Sequence, residues 1–214
     1  MATPNPTSIP SAAEQPAARG IDVSHFQGVI DWTTVAAAGI DFAFIKATEG
    51  LDDVDPRFRQ NWQESGAAGL LRGAYHFLHP NLDAAKQAAH FLSVVSLDED
   101  ALPPALDVEV TNGVGPAALT ACVQTWLDTV AAAVHCKPVV YTDPWFWREN
   151  VAANLDTYPL WLACYAAQPE LPPGWQCWTF WQHSQGGRVA GIAGLVDLDR
   201  CQLSRAQLRQ LRAS

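Results

Sequence analysis

Two acidic residues separated by one position form the strongest chemical signal in the sequence. Asp107 and Glu109 lie in PALDVEV, a short apolar run typical of a buried strand. Because side chains alternate along a strand, both carboxylates point to one face, with Cα atoms about 6.5 Å apart. That distance is within reach of the carboxyl separations used to hydrolyse glycosidic bonds. Crowding raises the pKa of one acid and leaves the other ionised, so the pair predicts a general acid beside a carboxylate.

Other polar and aromatic side chains follow further predicted strands at their carboxyl ends. They are Asp22, Glu49, Tyr75, Tyr141, Tyr165, Trp181, Gln182 and Asp197. Strand ends and the loops after them form the active-site face of β/α barrels, so substrate binding is predicted for Glu49, Tyr75, Tyr141, Tyr165 and Trp181. Indoles at strand ends suit stacking on sugar rings, and one of Trp178 and Trp181 is expected in the core instead. Asp22 alone fits a turn or capping role equally well, and alternation does not choose between Asp197 and Asp199. Histidines at 76 and 79 are expected to have hydrogen-bonded structural roles, because no third metal ligand has a matching spacing. The acids at 52, 53 and 55 are expected to form a solvated loop cluster, with metal binding as the alternative.

The elements that must position these residues alternate between strand and helix patterns. Strands are predicted over 20–25, 41–48, 70–77, 104–110, 137–142, 160–165, 176–182 and 194–198, and helices over 56–68, 82–95 and 116–134. Alternation of this kind indicates an α/β fold with parallel strands, and the late strands leave no room for full helices between them. A complete (β/α) barrel needs ~250 residues, so residues 20–214 predict a truncated or irregular barrel with a β-rich C-terminal part.

Composition narrows the class of partner. The chain has 214 residues, so one domain over 20–214 is expected after a flexible arm over 1–19 that lacks the features of a signal peptide. A net charge of -9 disfavours nucleic acid, and nine Trp with few cations favour carbohydrate. Membrane insertion is not expected, because no run of 18 apolar residues occurs. The five Cys leave at least one thiol unpaired, with 122–136 and 164–177 as candidate bridges.

The sequence resembles the family 25 glycoside hydrolases, lysozymes that act as N-acetylmuramidases. The matching segments are GIDVSHFQGVIDW, AGIDFAFIKATEG, AGLLRGAYHF, ALDVEV, VVYT, PLWLACY, WTFWQHS and GLVDLD, in the family's order. The resemblance implies a flattened, irregular TIM-like barrel and no cofactor. It also implies action on peptidoglycan at the cell wall, extracellular or periplasmic, by a monomer whose export route stays open.

The resemblance also implies roles for individual residues. Glu109 matches the general acid, and Asp107 matches the second acid, which is either the nucleophile or the residue that orients the sugar's 2-acetamido group. Both routes retain the anomeric configuration. Asp22 and Asp197 match two further acids of the groove. Asp199 occupies a position that is more often Asn.

Two alternatives remain open at this stage. A non-catalytic peptidoglycan-binding module would keep the groove and bind sacculi without releasing fragments. A chitin-directed glycosidase would use the same acids, because the contact that discriminates muramic acid is made to its lactyl group.

Overall fold

The computed structural model describes residues 17–152 and 155–211, and its strands form one closed sheet. The strands in this part of the chain are β1 (Arg19–Val23), β2 (Phe42–Glu49), β3 (Asp53–Val54), β4 (Leu71–Phe77), β5 (Ala105–Asp107), β6 (Val139–Thr142), β7 (Leu160–Ala163), β8 (Phe180–Gly187) and β9 (Val196–Cys201). They are ordered β1-β9-β8-β7-β6-β5-β4-β2-β3, and β1 also pairs with β2. That last pairing closes a barrel, from which the short strand β3 projects as a hairpin on β2. The predicted irregular β/α barrel is confirmed.

Strand direction changes only near the C-terminus of the barrel. Strands β1, β2 and β4 to β8 run parallel, whereas β9 is antiparallel to both β8 and β1. Within the described residues no helix separates β7 from β8 or β8 from β9. The predicted β-rich end is therefore confirmed, and it brings Asp197 on β9 directly opposite Asp22 on β1.

Helices cover the outside of the barrel. They are α1 (Trp32–Ala37), α2 (Phe58–Ala67), α3 (Ala84–Val94), α4 (Pro116–Val134), α5 (Pro144–Asn150) and α6 (Arg205–Leu208), and a 3-10 turn spans His25–Gln27. Side-chain caps start several of them; Asp83, for example, accepts a hydrogen bond from the Lys86 backbone at the start of α3. By length and composition α4 could cross a membrane, but it packs against α3 and buries Trp126 and Leu127 in the core.

Several predicted boundaries are wrong in informative ways. β5 ends at Asp107, three residues before the predicted end, and the late strands begin and end later than predicted. The chain also joins the fold before residue 20, because Ala18 is buried and exchanges backbone hydrogen bonds with Cys201 and Leu203. The rest of the predicted arm, 1–16, lies outside the described residues.

Cys122, Cys164 and Cys177 are free thiols, so neither candidate bridge forms.

Apolar residues form two separate cores. The larger lies between the barrel and its helices and takes the outward side chains of the strands, such as Ile21, Ile45 and Leu106. The smaller fills the barrel itself and is largely aromatic. Its members include Phe44, whose ring stacks on Trp161 at a centroid distance of 4.3 Å. This inner core closes the floor of the barrel, so any site must lie above it.

Candidate active site

A cavity of about 320 Å³ opens at the carboxyl ends of the parallel strands, above the inner core. Inward side chains from successive strands line it. They include Asp22, Lys46, Tyr75, Asp107, Glu109, Tyr141, Tyr165, Gln182 and Asp197. The structure thus brings together four of the five predicted acids and three of the predicted aromatic residues, as expected for strand ends that converge on one face.

Asp107 and Glu109 occupy different depths of this cavity. Asp107 is the last residue of β5 and is buried, whereas Glu109 lies beyond the strand and is exposed. The segment between them is held by β6: the Val108 amide donates to the Tyr141 carbonyl at 3.0 Å, and the Thr142 hydroxyl donates to the Val108 carbonyl at 2.9 Å. Glu109 is thus held in place although it lies outside the strand.

The surroundings raise the pKa of both acids. Burial raises the pKa of Asp107 well above its usual value, and the neighbouring Glu109 charge raises it further. Partial burial also raises the pKa of Glu109, helped by Asp143 and opposed by Lys46. Each acid therefore keeps its proton to a higher pH than an ordinary carboxyl group does. Asp107 Oδ1 is buried and has no hydrogen-bond partner among the described residues.

Lys46 supplies a positive charge to this acidic cavity, and sequence reasoning missed it. A bulge in β2 follows directly after it: Lys46 pairs with Tyr75, but Thr48 pairs with the next residue, His76, so one β2 residue is skipped. Lys46 precedes the bulge and faces the barrel interior, as strand alternation requires. The missed signal was Lys46 itself, two positions after the inward Phe44.

Glu49, predicted to bind substrate, does not line the first cavity. It lines an adjoining cavity of about 340 Å³ with His79 and Asn112. There its carboxylate pairs with Lys46 Nζ at 2.5 Å and with His79 Nε2 at 2.8 Å. The prediction for Glu49 is therefore corrected, because its contacts in the structure serve to fix Lys46.

Gln182 on β8, one of the polar residues predicted at the strand ends, lines the cavity and connects three of its side chains. Its Oε1 accepts hydrogen bonds from the hydroxyls of Tyr141 at 3.0 Å and Tyr165 at 2.8 Å. Its Nε2 donates to Asp22 Oδ2 at 2.8 Å. One amide thus joins both tyrosines to an acid, and strand alternation from Phe180 would have placed it inside the barrel.

Trp181 lies on the opposite face of β8 and packs against the outer core. Its Nε1 donates to the Cys164 carbonyl at 2.6 Å, and the Arg200 guanidinium lies 5.8 Å from its ring centroid. The prediction that Trp181 stacks on substrate is therefore wrong, because neighbouring strand residues face opposite sides.

A third acid lies under the Asp22–Asp197 pair. Asp199 is 1% exposed, and its Oδ1 accepts a hydrogen bond from Trp161 Nε1 at 2.8 Å. Its Oδ2 is buried and has no hydrogen-bond partner among the described residues. Burial raises the pKa of Asp199 to about 7, and burial with the Asp199 and Asp197 charges raises the pKa of Asp22. Asp197 also has a raised pKa, chiefly through burial.

The acidic loop after β2 also differs from the expectation of a solvated cluster. Asp55 is buried, and its carboxylate accepts hydrogen bonds from the backbone amides of His25 and Arg57 at 2.9 Å each. It also contacts His25 Nδ1 at 2.8 Å and so anchors the 3-10 turn beside the cavity. Over 17–152 and 155–211, no group of three or more His, Cys, Asp or Glu is arranged to hold a metal ion.

A second cavity of about 490 Å³ adjoins the first. Glu109, Tyr141 and Tyr165 line both, whereas Asp107 lines only the first. The second cavity extends to the start of α5, where the Trp145 side chain is 67% exposed. Together the two cavities form a groove with Glu109 at the junction.

Comparisons with known proteins agree with this geometry. The sequence model of glycosyl hydrolases family 25 matches residues 21–192. Lysozyme M1 of Streptomyces globisporus is 37% identical over 216 residues, covering 93% of this chain and 72% of that protein. The N,O-diacetylmuramidase of Chalaropsis sp is 33% identical over 201 residues, covering 84% of this chain and 95% of that protein.

A solved structure supports the same assignment. The lysozyme of Streptomyces coelicolor superposes with a TM-score of 0.86 at 35% identity, covering 92% of this chain and 97% of that one. The family match spans most of the chain and includes β1 to β8, the strands that carry Asp22, Asp107 and Gln182. The chain belongs to glycosyl hydrolases family 25.

Proposed function

We propose that the chain is a muramidase that hydrolyses the β-1,4 bond between N-acetylmuramic acid and N-acetylglucosamine in peptidoglycan, with Glu109 as general acid. One observation carries the proposal: Asp107 and Glu109 meet at one cavity but at different depths, the first buried and the second accessible. The family supplies the reaction class, and relatives named as lysozyme and N,O-diacetylmuramidase supply the substrate.

In the first step Glu109 transfers its proton to the bridging oxygen. The raised pKa of Glu109 keeps this proton bound to a higher pH than on an ordinary glutamate, which suits a general acid. The bond between the anomeric carbon and the bridging oxygen breaks, and the leaving sugar departs with the new hydroxyl. Glu109 suits this role because it is the acid that reaches both cavities of the groove.

Asp107 acts on the sugar that stays behind. Its buried Oδ1, without a partner among the described residues, is positioned to accept a hydrogen bond from the 2-acetamido N–H. The acetamido oxygen then bonds to the anomeric carbon as the bridging oxygen leaves. A water molecule subsequently attacks that carbon, gives a proton to the Glu109 carboxylate and reopens the acetamido ring. Two inversions retain the configuration.

Asp22, Asp197, Tyr75, Tyr141 and Tyr165 hold the substrate in this scheme. Gln182 fixes the hydroxyls of Tyr141 and Tyr165.

The enzyme acts at the cell wall, outside the cytoplasmic membrane. Its net charge of -9 is consistent with a monomer that binds neither nucleic acid nor a membrane surface.

Mass spectrometry of products released from purified sacculi tests the proposal. Wild type is expected to release muropeptides that carry N-acetylmuramic acid at the reducing end. Glu109→Gln should lower turnover by about 10²–10⁴-fold, because a general acid contributes that much. Glu99→Gln removes an exposed acid that follows α3 and serves as the matched control.

Each alternative has its own product pattern. Products that end in reducing N-acetylglucosamine would show that the enzyme cleaves the other glycosidic bond of the strand. Equal digestion of chitin oligomers would indicate a glycosidase of broader specificity. Binding to sacculi without soluble products from wild type would indicate a binding module. For the acetamido step, a thiazoline analogue of the N-acetylmuramic acid ring should inhibit competitively, and an inverted product anomer by NMR would contradict the scheme.

A further inference from the structure

The second cavity has features of a carbohydrate-binding surface. Trp145 presents an indole that is 67% exposed, and Tyr165 at the junction is 51% exposed. Aromatic faces this exposed are costly in water and suit stacking on an uncharged, flat partner such as a sugar ring. The cavity wall also holds Arg148 and Glu170, 3.8 Å apart, which offset each other in charge.

Trp145 is firmly held although it is exposed. It lies in the first turn of α5, where Asp143 Oδ1 accepts hydrogen bonds from the Trp145 amide at 2.9 Å and the Phe146 amide at 2.8 Å. The next residues, Phe146 and Trp147, are buried in the outer core. A helix anchored on both sides of Trp145 presents the indole at low entropic cost, as a binding platform requires.

The position of Glu109 decides which part of the substrate this cavity receives. A general acid protonates the bridging oxygen, which joins the attacked carbon to the departing sugar. The departing sugar therefore lies on the side of this oxygen opposite to the attacked carbon. Asp107, which acts on the attacked sugar in the proposed function, lines only the first cavity. The second cavity shares Glu109 but not Asp107, so it lies on the leaving side.

We propose that the second cavity binds the leaving part of the glycan strand, with an N-acetylglucosamine ring stacked on Trp145, so that the strand's reducing end runs towards α5. The non-reducing part then runs towards the 3-10 turn at the other rim, where Phe26 lines the first cavity and is 81% exposed. This assignment rests on the proposed role of Glu109.

Two substrates that differ only on the leaving side test this orientation. One is a soluble glycan strand, and the other is the β-fluoride of the disaccharide N-acetylglucosaminyl-N-acetylmuramic acid, whose leaving group is too small to reach α5. In Trp145→Ala the ratio of KM for the strand to KM for the fluoride should rise on the order of tenfold, equivalent to one lost ring stack. Trp145→Tyr should restore most of the ratio, because it keeps an aromatic face.

Phe26→Ala is the matched control, since it removes an exposed ring from the opposite rim. It should raise both KM values together, because both substrates carry the disaccharide on that side. An unchanged ratio in Trp145→Ala, or a raised ratio in Phe26→Ala, would overturn the orientation. Wild type that hydrolyses neither substrate would contradict the proposed function instead.

Discussion

Lys46 shows how a single residue sets the charge state of the site. It is the cation that lowers the pKa of both Asp107 and Glu109, against the burial that raises them. Its Nζ is held by Glu49, which His79 holds in turn. Two side chains outside the first cavity, Glu49 and His79, therefore fix the cation that acts on the acids inside it.

Removing this charge should move the pH profile upward. In Lys46→Met the pKa values of Glu109 and Asp107 both rise, because burial is no longer opposed. The alkaline limb of kcat/KM, which needs protonated Glu109, and the acidic limb, which needs ionised Asp107, should both shift to higher pH. Profiles measured on soluble glycan strands check this.

Lys86→Met serves as the control, because Lys86 is exposed on α3. Its profile should overlay that of wild type. A Lys46→Met profile with unshifted limbs and only a lower maximum would show that Lys46 contributes packing rather than charge.

At the scale of elements, strand alternation predicted much of the site and the β2 bulge concealed part of it. The period of two placed Asp107 correctly, and the same rule applied to β8 separates Gln182, which lines the cavity, from Trp181, which does not. Glu49 could not be placed by this rule, because the skipped residue between Lys46 and Thr48 is a property of the pairing with β4. Glu109 lies beyond β5, so its position depends on hydrogen bonds from β6 that no local pattern encodes.

The packing of β4 against β2 gives an element-scale prediction. Gly73 on β4 pairs with Phe44 on β2, and a Cβ at Gly73 would lie 2.3 Å from the Phe44 ring. Phe44 also stacks on Trp161, so the ring has little room to move. Gly73→Ala should lower the free energy of unfolding by about 1–3 kcal/mol through overpacking.

Denaturant unfolding of Gly73→Ala and Gly186→Ala side by side measures this cost. A Cβ at Gly186 on β8 meets nothing within 4 Å, so that change should stay within about 0.5 kcal/mol. Equal stability of the two variants would show that the inner core adapts and does not fix the distance between β2 and β4.

The protein concentrates acids with a raised pKa at one end of the barrel. Asp22, Asp107, Glu109, Asp197 and Asp199 all have a raised pKa, chiefly through burial. Closure of the sheet by β9 places Asp197 and Asp199 beside Asp22, and their charges add to burial in raising the pKa of Asp22. Sequence patterns predicted a barrel, but not which of Asp197 and Asp199 reaches the cavity; the structure has both facing inward, with Asp199 below.

This arrangement makes the stability of the whole fold depend on pH. A group with a pKa that is higher in the folded than in the unfolded state binds more protons when folded, so the free energy of unfolding falls as pH rises between the two values. For Asp199 that window runs from its usual 3.8 to about 7. Wild type should therefore lose stability from about pH 4 to pH 7, and Asp199→Asn should reduce this slope, because the amide has no proton to lose.

Asp31→Asn provides a matched control, since it also replaces one Asp, but one whose pKa is lowered in the folded protein instead of raised. Hydrogen bonds from Thr34 at the start of α1 lower the pKa of Asp31 and outweigh a smaller desolvation effect. The contribution of Asp31 to the free energy of unfolding is therefore complete above its usual pKa and is lost only as pH falls below that value. Thermal unfolding at closely spaced pH values should give Asp31→Asn the wild-type slope between pH 4 and 7. If Asp199→Asn kept that slope as well, the acid under the active site would already be ionised at neutral pH.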